Sequence, residues 1–171
     1  MNNTNKTLYL VRHAKSSWKF PDLSDFERPL NSRGKRDAPF MGELLAKQNI
    51  LPDLIISSPA KRAISTAEII AGKIGYNFDS IVHESDLYLA SSGTIVEILA
   101  QLNSENSVMI FGHNPGLTVF NNLISDKYIE NIPTCGIVAL KLHNGWKEIK
   151  PKTAVQIFFD FPKNYTNRDG K

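Results

Sequence analysis

The sequence predicts an α/β protein, a three-layer α/β/α sandwich around a mainly parallel central sheet of about six strands, with an antiparallel portion near the C-terminus. Three observations lead there. Short apolar runs alternate along the chain with segments of helical period. The pairs Ser58-Pro59 and Asn114-Pro115, each an N-cap type followed by proline, stand between an apolar run and a helical segment. The last two apolar runs are joined by a turn-rich piece containing Asn144-Gly145, which favours a hairpin or near-neighbour pair.

Taken in order, Leu8-Tyr9-Leu10-Val11 is a buried strand bounded by polar residues. A first helix is expected over residues 32–47, with Pro39 implying a kink or a late start. Leu54-Ile55-Ile56 is the second strand. The second helix should begin at Ser58 as N-cap and Pro59 as first helical residue, then carry Ile64, Ala67, Ile69 and Ile70. Residues 80–84 form a short third strand, 94–102 a third helix, and Val108-Met109-Ile110-Phe111 a fourth strand. Asn114-Pro115 opens the fourth helix, with Leu117, Val119, Phe120 and Leu123. Residues 136–142 and 153–159 are the final strands. The pattern reads as a single domain, 1–171, whose polar end, 163–171, is expected to be a flexible tail.

Composition narrows the class. At 171 residues, 42% hydrophobic and 22% charged, the chain is long enough to fold without disulfide or metal, and it is not disordered, collagenous or coiled-coil. One cysteine, Cys135, within an apolar run, excludes an intramolecular disulfide and a Cys-based zinc site; an inert buried thiol is expected. The start, Met1-Asn2-Asn3-Thr4-Asn5-Lys6, lacks a signal-peptide core, and no apolar run approaches the ~20 residues of a membrane span. A cytoplasmic protein with no membrane partner is the expectation. The net charge is only +3, but residues 12–36 hold seven bases and three acids, so that window is +4 and the remainder −1. No groove-reading motif accompanies it, which argues against nucleic acid.

In open α/β sheets, ligands sit at the carboxyl ends of the strands. Arg12 and His13 follow the first apolar run, Ser57, Ser58 and then Arg62 follow the second, and Gly112 and His113 follow the fourth. Two arginines and two histidines therefore share one edge. Guanidinium forks match phosphate oxygens two at a time. Two expected helix N-termini point backbone N–H groups at the same edge. Neighbouring guanidinium groups should depress the histidine pKa, and neutral imidazole is a competent nucleophile towards phosphorus. The long stretch over residues 15–31 is a candidate substrate wall. His83 and His143 do not share the pattern and are taken as structural or exposed. A metal is not expected beside so many cations.

These residues carry a resemblance. Leu8-Tyr9-Leu10-Val11-Arg12-His13-Ala14-Lys15-Ser16 resembles the Arg-His motif of the histidine phosphatase, or phosphoglycerate mutase-like, superfamily, in the form seen in small SixA-type phosphohistidine phosphatases. Asp25-Phe26-Glu27-Arg28-Pro29-Leu30 with Arg33-Gly34 is similar to the subfamily's next block. Ser57-Ser58-Pro59-Ala60-Lys61-Arg62-Ala63 through Thr66-Ala67-Glu68 resembles the second-arginine block, and Phe111-Gly112-His113-Asn114-Pro115-Gly116 the second-histidine block. The blocks span about residues 8–123 in the family's order. The resemblance implies that His13 becomes transiently phosphorylated, that Arg12, Arg62 and His113 grip the phosphoryl oxygens, and that no metal or organic cofactor is needed.

Departures from the larger members bear on substrate. Lys19 stands where they place an asparagine. Leu87-Tyr88-Leu89 ends in leucine where they carry a glutamate general acid. Asp25, Glu84 and Asp86 are candidate substitutes, and Ser16, Lys19 and Arg28 are candidate substrate contacts. An alkoxide leaving group gains typically 10²–10⁴-fold from a proton donor, whereas an imidazole can leave already protonated. The expected substrate is thus a phosphohistidine-bearing signalling or phosphotransfer protein, with inorganic phosphate or related oxyanions also entering the site. A broad small-molecule phosphomonoesterase acting on small phosphate esters, and a non-catalytic phosphoprotein-binding module, are the alternatives. Lys15, Lys19 and Arg28 are read as cations that attract an acidic substrate.

Overall fold

A computed structural model describes residues 5–166. Residues 1–4 and 167–171, which include most of the sequence start and of the tail considered above, lie outside the described residues. The elements in order are β1 (Lys6–Arg12), α1 (Ser32–Lys47), β2 (Leu54–Ser57), α2 (Lys61–Ile74), β3 (Val82–His83), α3 (Ser92–Ala100), β4 (Ser107–Gly112), α4 (Gly116–Ile124), β5 (Ile137–Leu142), β6 (Ala154–Asp160) and a terminal turn α5 (Lys163–Thr166). The six strands form one sheet in the order β3-β2-β4-β1-β5-β6. β1 to β4 are parallel, β5 is antiparallel to β1, and β6 returns antiparallel to β5.

Strand alternation builds two cores. Leu8 and Leu10 of β1, with Val108 and Ile110 of β4, join Ile95, Leu99, Leu117 and Phe120 from α3 and α4. Val11, Met109 and Phe111 point the other way, to Met41 and Leu45 of α1 and Ala67 and Ile70 of α2. Helices cover both faces, which is why the central strands are continuous apolar runs rather than alternating ones. Burying each such leucine or isoleucine contributes about 1.5–3 kcal/mol.

Two of the expected helix starts move. α2 begins at Lys61, with Ala60 at the N-cap and no side-chain cap bond. The Ser58 hydroxyl is spent instead on His113 and the Ala60 N–H. α4 begins at Gly116 with Pro115 at the N-cap, although Asn114 Oδ1 still accepts from the Thr118 N–H and hydroxyl. α1 starts neither late nor in pieces. It runs from Ser32 through Pro39 because the Asn31 side chain caps Gly34 N at 2.9 Å.

The segment 15–31 folds back on itself. Ser16 bridges Leu30, Ser17 N donates to Pro29 O at 2.8 Å, and Asn31 N donates to Lys15 O at 2.9 Å. It is tied to the body where Lys61 N donates to Phe26 O at 2.9 Å. Its base depends on Gly34, where a Cβ would lie 2.3 Å from Lys15 O. Gly34→Ala should therefore lower stability by about 1–3 kcal/mol, read from the urea midpoint. An unchanged midpoint would show that the base of this segment yields freely.

Candidate active site

The register of the parallel strands sets the site. Arg12 is level with Gly112, and Ser57 with Phe111. The residues that follow, His13, Ser58 and His113, leave the sheet together. Backbone bonds fix that exit: His13 N to Gly112 O at 3.1 Å and Ser58 N to Phe111 O at 2.9 Å. The two imidazole rings come to 5.1 Å between centroids. Their residues are 100 positions apart in the sequence, so the sheet brings them together.

His13 is buried, and its Nδ1 lies 2.7 Å from the Ala14 carbonyl. A carbonyl only accepts, so Nδ1 carries the proton and Nε2 presents its lone pair. Arg62 Nε donates to that lone pair at 3.3 Å. Burial, followed by the charges of Arg62, Arg12 and Arg28, pushes the His13 pKa down to about 4 against a raising contribution from the Ala14 bond. Burial and the neighbouring His13 and Arg62 push His113 down to about 3. Both rings are neutral at physiological pH.

Arg62, at 4% exposure, is held in place by Asp25. Its terminal nitrogens donate to the Asp25 carbonyl and, at 2.9 Å, to Asp25 Oδ2. The other oxygen, Oδ1, accepts from Arg28 at 2.8 Å, and Tyr88 Oη donates to Oδ2 at 2.8 Å. Partial burial raises the Asp25 pKa, but the Tyr88 hydrogen bond and the two arginines outweigh it and hold the carboxyl at about 2. Asp25 is therefore a fixed anion that orients arginines. As a proton donor at neutral pH it is unsuited, and that part of the sequence expectation is revised.

The other candidates divide. Arg12 donates to Ile132 O at 2.8 Å, while its Nε and His113 Nδ1 are buried with no hydrogen-bond partner among the described residues. Arg28 is not a solvated attractor: it is buried, donates to Ser17 O and the Ser16 hydroxyl, and stacks 3.3 Å from the Trp18 ring centroid. Ser16 is thereby engaged with Arg28. Lys19 is exposed. Glu84 accepts from Asp86 N as the cap of a short turn, and Asp86 is exposed. Cys135 is buried and burial pushes its thiol well above the ordinary range, as expected of an inert group.

Three residues at the site were not singled out from sequence. Ser58 Oγ lies 2.8 Å from His113 Nε2. Thr66 Oγ1 accepts from Ala14 N at 2.9 Å and donates to Arg62 O, locking the loop after His13 to α2. Tyr88 sets its ring edge-on to His113 at 5.5 Å and to Phe26 at 5.1 Å. Thr66 is legible as one helical turn past Arg62. Ser58 looked like a cap, and nothing local marks Tyr88 as a partner of Asp25.

The profile of the histidine phosphatase superfamily (branch 1) matches residues 8–88. The solved structure of SixA from Agrobacterium tumefaciens is 30% identical, superposes with a TM-score of 0.77, and matches over 92% of this chain and 98% of that one. The chain belongs to the histidine phosphatase superfamily. Another solved member, the protein histidine phosphatase SixA complexed with tungstate, shares the fold at 19% identity, a TM-score of 0.80, and 92% and 98% coverage. An uncharacterized chloroplastic protein of Arabidopsis thaliana is 31% identical over 84% of this chain and 70% of its own length. The superfamily fold thus accounts for the mixed sheet and for the edge on which the four basic side chains gather.

The depressed histidines have a consequence for stability. An unfolded histidine takes up a proton below about pH 6.5, whereas native His13 resists until about pH 4 and His113 until about pH 3. Stability is therefore lost as pH falls through this window, at pH 5 by roughly 2 kcal/mol per histidine. Urea unfolding at pH 7 and pH 5 should show this loss, and His13→Gln should reduce it. An equal pH dependence in the variant would mean that His13 titrates normally.

Proposed function

We propose that this chain is a phosphatase that works through a phosphohistidine intermediate on His13 and removes phosphate from phosphohistidine in a signalling or phosphotransfer protein. One observation carries the reading. The Nε2 lone pair of a buried, neutral His13 is held against the Arg62 guanidinium by a fixed Nδ1 bond. A nucleophile must be unprotonated, and phosphoryl transfer is governed by positioning and charge stabilisation.

In this reading, Arg62 Nε passes its hydrogen bond from His13 Nε2 to a phosphoryl oxygen, the freed Nε2 lone pair attacks phosphorus in line, and the bond to the leaving group breaks. Arg62, Arg12 and His113 hold the equatorial oxygens. With the Ser58 hydroxyl donating to His113 Nε2, Nδ1 carries the proton and can offer it to an oxygen, as can the partnerless Arg12 Nε. Water then attacks phosphorus, the P–N bond to His13 breaks, and inorganic phosphate leaves.

Two features support a phosphohistidine protein over a small ester. Asp25 is ionised and Leu89, where larger members carry their acid, is an exposed apolar side chain, so a leaving group that arrives already protonated suits the site. Trp18, Phe20, Phe26 and Leu89 are all exposed on or beside the segment that covers Arg62, with Trp18 at 74%. An apolar rim of this kind suits a protein surface.

His13→Ala should lower turnover of an aryl phosphate by about 10³-fold or more, and EDTA should leave wild-type turnover unchanged. A phosphohistidine-bearing carrier domain should exceed the aryl ester in kcat/KM by about 10²-fold or more, since remote contacts contribute only with the protein substrate. Equal kcat/KM for both would sink the protein-substrate reading. Tungstate binding without any turnover would identify a binding module instead.

A further inference from the structure

A second basic cavity lies beside the first site. It has a volume of about 360 Å³ and is lined by Arg12, Lys15, Arg33, Arg36 and Lys163, with Asp37 as its one carboxylate among the described residues. These side chains come from separate parts of the fold: the end of β1, the first two turns of α1, and the segment after β6. Thr134 and Asn131, from the loop before β5, add polar atoms, and Pro133, Phe161 and Pro162 supply an apolar wall. Its volume falls in the range of pockets that hold small ligands.

Arg33 and Arg36 reach this cavity from exposed positions on α1. Besides Lys163, four cations border one concavity, and its single carboxylate among the described residues is already engaged. Asp37 lies 3.2 Å from Arg36 and 3.9 Å from Arg33. Arg33 also donates to Thr134 Oγ1 at 3.3 Å, which aims its guanidinium along the loop. A cleft lined by one sign of charge, with an apolar wall, concentrates its field and draws counter-ions. Three guanidinium forks and the Lys15 ammonium group offer donors in excess of the acceptors among the described residues, the chemistry that suits phosphate, sulfate or carboxylate oxygens.

Arg12 ties this cavity to the catalytic cluster. It lines the cavity, it directly precedes His13 in the chain, and its Nε is buried without a partner among the described residues. The loop between the two sites is pinned to both residues, because Cys135 N donates to Arg12 O and His13 O at 3.0 and 3.1 Å. An anion in the basic cavity and a phosphoryl group at His13 would therefore flank one arginine. We infer that the cavity is a second anion subsite, which takes a further acidic group of the same substrate molecule while its phosphoryl group sits at His13.

That acidic group is either a second phosphate of a small molecule or a carboxylate cluster beside a phosphohistidine. The binding of an anion does not depend on the phosphatase reading; its use in turnover does. Calorimetric titration with tripolyphosphate and with orthophosphate at low ionic strength tests the first part. Wild type should bind tripolyphosphate more tightly than orthophosphate. Lys15→Gln and Arg36→Gln should each weaken tripolyphosphate about tenfold, the loss of one charge-assisted contact, while leaving orthophosphate unchanged. Lys73→Gln, remote from the cavity and paired with Glu43, should alter neither. Lys15→Gln leaves the Asp37 pairs in place, so it remains informative if Arg36→Gln folds poorly. Equal affinity of wild type for the two anions, or equal weakening of both by the variants, would overturn the subsite.

Turnover identifies the source. The same variants should raise KM and spare kcat for either a small bisphosphate or the phosphohistidine carrier, with no change for a simple aryl phosphate. Unchanged KM for both two-anion substrates would overturn the role in catalysis. A wild type that hydrolyses nothing yet binds tripolyphosphate as above would overturn the phosphatase reading and leave the anion subsite standing.

Discussion

The Asp25 carboxylate is the interaction on which the site depends. Three arginines, Arg12, Arg28 and Arg62, act on His13, and each lowers its pKa. Packing them at one sheet edge is unfavourable without a counter-charge. Asp25 supplies it by taking one arginine on each oxygen, and the Tyr88 hydroxyl completes its coordination. A carboxylate so engaged fixes two guanidinium planes and also pins segment 15–31 over the cluster. Arg62 contributes through Nε to His13 and through its terminal nitrogens to Asp25, so the surroundings of His13 and the loop's position are set by one side chain.

This arrangement explains why the basic window does several jobs. Counted along the sequence, residues 12–36 are a +4 stretch. In the fold they separate into three groups. Arg28 is internal and stacked on Trp18, and its charge is absorbed by Asp25. Lys19 and Lys35 are exposed, and of the cations first read as long-range attractors Lys19 keeps that role. Arg12, Lys15, Arg33 and Arg36 turn towards the second cavity. A net charge assigns none of these roles; burial and partners do.

Most of the fold was legible because its signals are local or periodic. Six apolar runs became six strands, and the helical period placed α1 at Ser32–Lys47. The rule of strand carboxyl ends then brought Arg12, His13, Arg62 and His113 to one edge, where the structure has them. The failures share a cause. Ser58 carries the signature of an N-cap, but a tertiary partner, His113, took its hydroxyl and α2 began later. Asp25 was weighed as an acid because its residue type permits it, whereas its ionisation is set by the Tyr88 hydroxyl and by Arg62, 37 positions away. Tyr88 reaches Asp25 across 63 positions. Chain periodicity carries no record of such pairings.

The same pairing constrains the chemistry. A group that must stay ionised to hold two arginines cannot also release a proton at each turnover without loosening them. Protonating Asp25 would remove the counter-charge from Arg62 just when a phosphoryl group is leaving. Holding the carboxyl at about 2 separates these tasks. The demand for a proton then passes to the substrate, and a phosphorylated imidazole, which can carry its own, meets it where an alkyl ester does not. On the proposed reading, an apolar Leu89 and an ionised Asp25 thus favour one and the same class of leaving group.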